Sequence, residues 1–314
     1  MPTNLTAGPV RVRVPATSAN LGPGFDALGL ALGLYDDVAA EVASGGVRVT
    51  VTGQGAGELP DDDRHLVVRS MRAAFDVLGV HPDGLAVECV NRIPQARGLG
   101  SSSAAIVAGV LLARALVVDG EQRLDDAGAL RLAAEIEGHP DNVAPCLLGG
   151  FTVAWSEPGG SRAVSLPVAD AVRPIVFVPA ERGLTATARA ALPETVPHGD
   201  AAFSAGRAAL LVHALTGAPA LLLPATADRL HQGYRAAGMP GTSALVSALR
   251  AAGVAAVVSG AGPTVLALSE PPVGFPVGTD WEIWQLPIDV SGARVVRGRL
   301  GHAERDPVAA GRKS

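Results

Sequence analysis

Few stretches restrict a fold as tightly as Pro94-Gln95-Ala96-Arg97-Gly98-Leu99-Gly100-Ser101-Ser102-Ser103-Ala104. A strand-like segment, 86–90, leads into it. A run that is apolar almost all round, 106–112, leads out and reads as a buried helix. The two glycines let the backbone bend sharply and let a ligand approach it closely. The serines sit where the helix begins, so the unpaired N–H groups of its first turn, with hydroxyls beside them, make a site for anions. A glycine turn with a serine cap is the plainer alternative, and three successive serines before a wholly apolar helix argue against it. The pattern is neither Gly-x-Gly-x-x-Gly nor Gly-x-x-x-x-Gly-Lys-Ser/Thr, which disfavours a dinucleotide fingerprint and a Walker loop.

Lysine usage narrows the chemistry. Of the 25 basic residues, only Lys313 is a lysine, whereas Walker enzymes and protein kinases place one on the nucleotide phosphates. If this chain binds ATP, backbone donors, hydroxyls, Mg²⁺ and arginine must carry the charge. A net charge of −5 leaves no footprint for nucleic acid, no basic cluster marks an anionic membrane surface, and no apolar span is long enough to cross a bilayer. Hydrophobic residues make up 48% of the 314 residues but aromatics only 4%, so the core is expected to be alanine, valine and leucine. Cys89 and Cys146 stand in apolar surroundings and read as reduced thiols of a cytoplasmic protein, and no leader pattern opens the sequence.

Residue types elsewhere fit a polar site. Val10-Arg11-Val12-Arg13-Val14 alternates as a half-buried strand ending at Pro15, and the Gly/Pro-rich stretch 16–24 reads as a tight loop. Asn20 and Asp26 flank its turn and by themselves need be no more than turn caps. Helices are expected at 66–78, 102–116 and 125–137. In the last of these, spacing puts Glu137 on the face of Leu130, Ala133 and Ala134. A carboxylate on an apolar stripe is costly unless paired or bound to metal, and Ser102 with Glu137 would suit Mg²⁺, which takes oxygen ligands. Thr185 and Arg189 fall at i and i+4 on one helix face. Arg235 lies on an expected helix, 226–237, where spacing alone favours a solvated position.

The glycine loop resembles the phosphate-binding motif of the GHMP kinases, Pro-x-x-x-Gly-Leu-Gly-Ser-Ser-Ala-Ala, with Ser103 where the first alanine is usual. Pro15-Ala16-Thr17-Ser18-Ala19-Asn20-Leu21-Gly22-Pro23-Gly24-Phe25-Asp26 and Ser259-Gly260-Ala261-Gly262-Pro263-Thr264-Val265 resemble the family's other motifs. The first of these, with Glu137-Gly138-His139-Pro140-Asp141-Asn142-Val143-Ala144-Pro145, is similar to the homoserine-phosphorylating branch of that family. The resemblance runs from about Val10 to Leu268.

It implies an α+β, two-domain GHMP kinase fold. An N-terminal, ATP-binding domain (1–158) would contain the loop and a left-handed βαβ crossover, and a ferredoxin-like C-terminal domain would span 159–314, in a homodimer. It further implies ATP phosphates on 94–104 and Mg²⁺ on Ser102 and Glu137. L-homoserine would be held by Asn20 at its hydroxyl, Asp26 at its ammonium, His139 and Thr185 along the pocket, and Arg189 and Arg235 at its carboxylate. Asn20, Asp141 and Arg189 are the candidate catalytic residues, Asp141 acting either as a base or as a pocket-orienting group. The turn 259–263 would support the phosphate loop. His65 stands where the family commonly has asparagine near the adenine, and is expected to be a surface histidine. A mevalonate-type kinase of the same family is the rival enzyme, although its substrate would leave Asp26 without a partner. A non-catalytic binding protein is the rival of another class.

Overall fold

The computed structural model describes residues 4–298 and Leu300; the polar tail from about 301 lies outside them, as does Lys313. Val10, Val12 and Val14 are buried on one side of β1 (Val10–Ala19). The strand continues through Pro15 instead of ending there. Its register against β2 (Leu28–Ala43) shifts between Pro15 and Ala16, a bulge that tolerates the missing N–H. Residues 16–19 then pair with 29–32, so the loop expected over 16–24 begins only at Asn20. Ala16, Thr17, Ser18 and Ala19 are small enough to lie wholly buried in the sheet.

β3 (Gly46–Gly53) and β4 (Gly84–Asn91) pair in parallel, so the chain crosses over between them through α1 (Leu66–Leu78). This is the βαβ unit for which the resemblance implies an unusual hand. Beyond the glycine loop come α2 (Ser101–Leu116), α3 (Gly120–Arg123), α4 (Asp126–Glu137) and α5 (Val143–Leu148). Residues 106–114 of α2 are all buried, because the helix is enclosed by α1, α4, α5 and β1. β5 (Phe151–Glu157) extends the sheet from β2 and forms a hairpin with β6 (Gly160–Leu166). Residues 156–161, whose composition reads as a turn or linker, close that hairpin, with Ser156 paired to Ser161 and Glu157 to Gly160.

β7 (Ile175–Pro179) opens the second sheet and is followed by α6 (Thr185–Ala190), α7 (His198–Thr216), α8 (Leu222–Ala225), α9 (Gln232–Arg235) and α10 (Pro240–Ala251). The single helix expected at 226–237 is broken. Asp228 accepts backbone N–H bonds from Leu230, His231 and Gln232, which closes a turn and starts the short α9 afresh. β8 (Ala256–Val258), β9 (Val265–Ala267) and β10 (Trp281–Gln285) complete an antiparallel sheet in the order β10-β7-β9-β8. That is the ferredoxin-like strand order, with a loop where the second crossover helix of that pattern would stand. β11 (Arg294–Arg297) returns to the first sheet and pairs with β1.

The second sheet is covered on both faces, which its period-two alternation permits. Ile175, Phe177, Val265 and Ala267 pack with Leu245 and Leu249 of α10. Val176, Val178, Leu266 and Leu268 join the main core with Leu211, Ala214 and Leu222. The core is aliphatic, as the composition required. Among the described residues no helix is long and apolar enough to cross a membrane, and both cysteines are buried free thiols whose pKa burial raises.

Candidate active site

The glycine loop is locked into its shape from both sides. Gly98 and Gly100 have φ of 76° and 73°. A Cβ at 98 would lie 2.2 Å from the carbonyl oxygen of Ser259, and one at 100 would lie 1.9 Å from Thr17 Oγ1. The Ser259 hydroxyl donates to Gly98 O at 2.6 Å and lies 2.8 Å from Ser18 Oγ, within hydrogen-bond distance. The 259–263 turn thus holds the loop from behind. Helices α1 and α4 have their first turns capped by side chains, those of His65 and Asp125. At α2 the N-cap is Gly100 and no side chain caps it. The first N–H groups of a long helix are left for a ligand, and its dipole favours an anion there.

Glu137 closes the floor. Its Oε2 accepts from Ser102 Oγ at 2.7 Å and its Oε1 from Ser103 Oγ at 3.0 Å. Carboxylate and hydroxyl oxygens meeting at an anion-binding helix end form a donor set that suits Mg²⁺. Among the described residues no group of three or more His, Cys, Asp or Glu side chains could hold a metal alone. Phosphate and water oxygens would have to complete the shell.

The opposite wall is built from charged side chains. Asp26 and Arg189 face each other as a bidentate pair at 2.6 and 3.1 Å, which raises the Arg189 pKa. Both are about one-third exposed, the side chains at 36% and 38%. Arg235 is only 3% exposed, so it is not the solvated residue that spacing alone favours. Burial, then the nearby Arg189, lowers its pKa. Both guanidinium groups stand over the Phe25 ring, at 5.5 and 5.4 Å. Such contacts stabilise partly desolvated cations. His139 Nδ1 lies 2.7 Å from Asp141 Oδ1, and Asp141 is 2% exposed. Burial alone would push the His139 pKa down, but the bond to Asp141 and its charge outweigh that and raise it.

These walls enclose one cleft, lined by Asn20, Asp26, Pro94, residues 96–102, Glu137, His139, Asp141, Thr185, Arg189 and Arg235. Gln95 lines a neighbouring apolar pocket that shares Ala96, Ser101 and Ser102 with the cleft. Ser103 and Ala104 are buried within α2.

Three residues have contacts that the sequence did not announce. Arg97, a candidate phosphate partner, donates instead to the carbonyls of Gln95, Pro179 and Ala180 at 2.6–3.0 Å. It tethers the loop to the second sheet. Asn20 has both ends of its amide engaged, Nδ2 with Gly260 O at 2.9 Å and Oδ1 with Asp26 N at 3.0 Å. His65 is not on the surface: it is 3% exposed and lines the neighbouring pocket. Its Nδ1 accepts from Val67 N at 3.3 Å, so Nε2 carries the proton, and that buried donor has no partner among the described residues. Burial lowers its pKa and keeps the ring neutral.

Sequence reasoning missed Phe25 and His231. Phe25 sits inside a recognised motif, but nothing in the pattern marks an aromatic ring as the base of a cation pair. His231 is four residues before Arg235, on one face of the helix expected at 226–237, so the spacing was legible there although the helix itself is broken.

The GHMP kinases N terminal domain matches residues 65–150, and the GHMP kinases C terminal domain matches residues 207–273. A homoserine kinase of Streptomyces coelicolor is 60% identical over 294 residues, covering 92% of this chain and 95% of that protein. One from Streptomyces avermitilis is also 60% identical, covering 92% and 96%. A crystal structure of homoserine kinase from Cytophaga hutchinsonii superposes with a TM-score of 0.78 at 28% identity, covering 94% of this chain and all of that one.

Proposed function

The chain belongs to the GHMP kinase family, in its homoserine kinase branch, and on that premise we propose how its residues divide the work. The enzyme transfers phosphate from ATP to the hydroxyl of L-homoserine, giving O-phospho-L-homoserine and ADP, a step of threonine biosynthesis. The observation that carries the assignment of residues is the single cleft in which an uncapped helix end and Glu137 face Asp26, Arg189 and Arg235.

The ATP phosphates lie on the N–H groups of residues 98–103, the adenine in the apolar pocket beside them, where the unpartnered Nε2–H of His65 meets a ring nitrogen. Ser102 and Glu137 would hold Mg²⁺, which would supply positive charge to phosphates whose negative charge shifts during transfer. Asp26 takes the ammonium of homoserine, and Arg189 and Arg235 take its carboxylate, since guanidinium forks match carboxylates. The substrate replaces the Asp26–Arg189 pair by offering each partner its own counter-charge. Asn20 and Thr185 border the hydroxyl. Asp141 holds His139 at that end of the pocket, and we assign it orientation instead of proton removal, because a loose transition state needs little help from a base. Positioning and charge neutralisation lower the barrier.

We place the domain boundary at 167–174, between β6 and β7, not at 158. Two buried free thiols support a cytoplasmic location. A homodimer is proposed from the resemblance, and light scattering after gel filtration checks it. The function itself is tested by coupled ADP release over homoserine, serine, threonine, mevalonate and shikimate. Homoserine should dominate. Faster turnover of mevalonate would favour the rival kinase.

A further inference from the structure

Among the described residues, Arg235 is a buried cation with no carboxylate in salt-bridge contact. Asp26 is engaged by Arg189, and Asp228 by three backbone N–H groups. Arg235 Nε donates to Ala188 O at 3.0 Å, and Nη1 to His231 Nδ1 at 3.1 Å and to Gly260 O at 3.4 Å. Among the described residues Nη2 makes no hydrogen bond, and it is the group left for a ligand in the cleft that Arg235 lines.

The His231 side chain is wholly buried. Its Nε2 lies 2.8 Å from Gly22 O, which can only accept, while its Nδ1 faces an Arg235 N–H, which can only donate. One form of the ring satisfies both: the neutral imidazole with its proton on Nε2. Burial lowers the His231 pKa and favours that form. Gly22 belongs to the loop between Asn20 and Asp26, and the imidazole also lies 5.1 Å from the Phe25 ring on which Arg235 rests. A single side chain therefore joins the loop that carries Asp26 to the guanidinium across the pocket.

We propose that His231 is a positioning residue for substrate recognition. As its Nε2–H tautomer it fixes the spacing between the acidic end of the pocket at Asp26 and the cationic end at Arg235. The inference rests on the reading of Arg235 as a carboxylate partner. Leucine at 231 removes both bonds, whereas glutamine, neutral with one acceptor and one donor, can restore them.

The test is steady-state kinetics on His231→Leu, His231→Gln and Arg235→Met in the full chain. His231→Leu should raise KM for homoserine about 10–100-fold, the range expected when a buried polar partner is lost, with KM for ATP within about twofold. His231→Gln should recover most of that loss. Equal impairment of the two His231 variants, or equal effects on both substrates, would overturn the proposal. A raised homoserine KM in Arg235→Met with none in His231→Leu overturns this inference alone. An unchanged KM in Arg235→Met overturns the pocket reading and this inference with it. If His231→Leu does not fold, nitrogen-15 shifts of the wild-type imidazole decide: protonation at Nε2 only supports the proposal, and a proton on Nδ1 at neutral pH contradicts it.

Discussion

The two walls of the cleft are made of different material. The phosphate wall is backbone: glycines with no room for a Cβ, a helix end with no side-chain cap, and a turn that buttresses it. The amino-acid wall is side chain: an ion pair spanning 163 residues, a guanidinium buried with no acid paired to it among the described residues, and a histidine reaching 209 residues back along the chain. Phosphate is a generic ligand that a preset nest of N–H groups can hold. A zwitterion has two opposite charges at a fixed separation, and reading it takes groups that approach from separate elements. The phosphate wall is rigid by construction. The other wall includes α6, which has no buried residue, its Arg189 side chain paired with Asp26 and its Ala188 carbonyl bonded by Arg235.

If that contrast holds, substitutions on the two walls should fail in different ways. The largest effect belongs to the floor that serves the phosphates. Glu137→Gln keeps shape and hydrogen bonding but removes the charge, so kcat should fall by about 10³-fold, as when a transition-state stabiliser is lost. The melting temperature should stay near that of the parent. Next comes the loop itself. In Gly98→Ala a Cβ must displace a backbone carbonyl at a positive φ. The expected cost is about 1–3 kcal/mol of stability, read by thermal melting, together with a higher KM for ATP. Side-chain losses on the other wall should be selective. Asp26→Ala and Arg189→Ala should each raise KM for homoserine about tenfold or more, the scale of a lost charge-assisted hydrogen bond, and leave KM for ATP nearly unchanged. Equal effects on both substrates would erase the distinction between the walls.

The smallest effect is a pH dependence. His139 titrates higher in the fold than its ordinary value of 6.5: burial alone would lower it, but the bond to Asp141 and the charges of Asp141 and Glu137 together outweigh burial. Its contribution to stability is fully present below 6.5 and fades as pH rises through the higher folded value. Melting scans between pH 6 and 9 should show this modest decline, and Asp141→Asn should flatten it.

The same contrast explains what could be read from the sequence. Residues 94–104 are contiguous, and glycine, serine and apolar periodicity there dictate a turn, a helix start and an anion site without knowledge of the rest. The termini of α1 and the start of α4 were legible because capping residues and apolar stripes are local. Pro15 was misleading, since a bulge absorbed it and the strand ran on to Ala19. The expected helix at 226–237 was broken by backbone bonds to Asp228, which apolar periodicity does not register. Asp26, Arg189 and Arg235 could be joined only through the family resemblance, because nothing in their spacing brings them together. Arg97 and His65 show the reverse limit. The resemblance put Arg97 within the phosphate-binding stretch and His65 was expected on the surface, whereas tertiary contacts engage the Arg97 side chain as a tether and draw His65 inward.

The most direct test is a crystal structure of the enzyme with L-homoserine and a non-hydrolysable ATP analogue. The triphosphate should lie against the N–H groups of residues 98–103, the homoserine ammonium on Asp26, and its carboxylate on Arg189 and Arg235 with the Asp26–Arg189 pair opened. A carboxylate bound elsewhere, with that pair intact, would contradict this assignment.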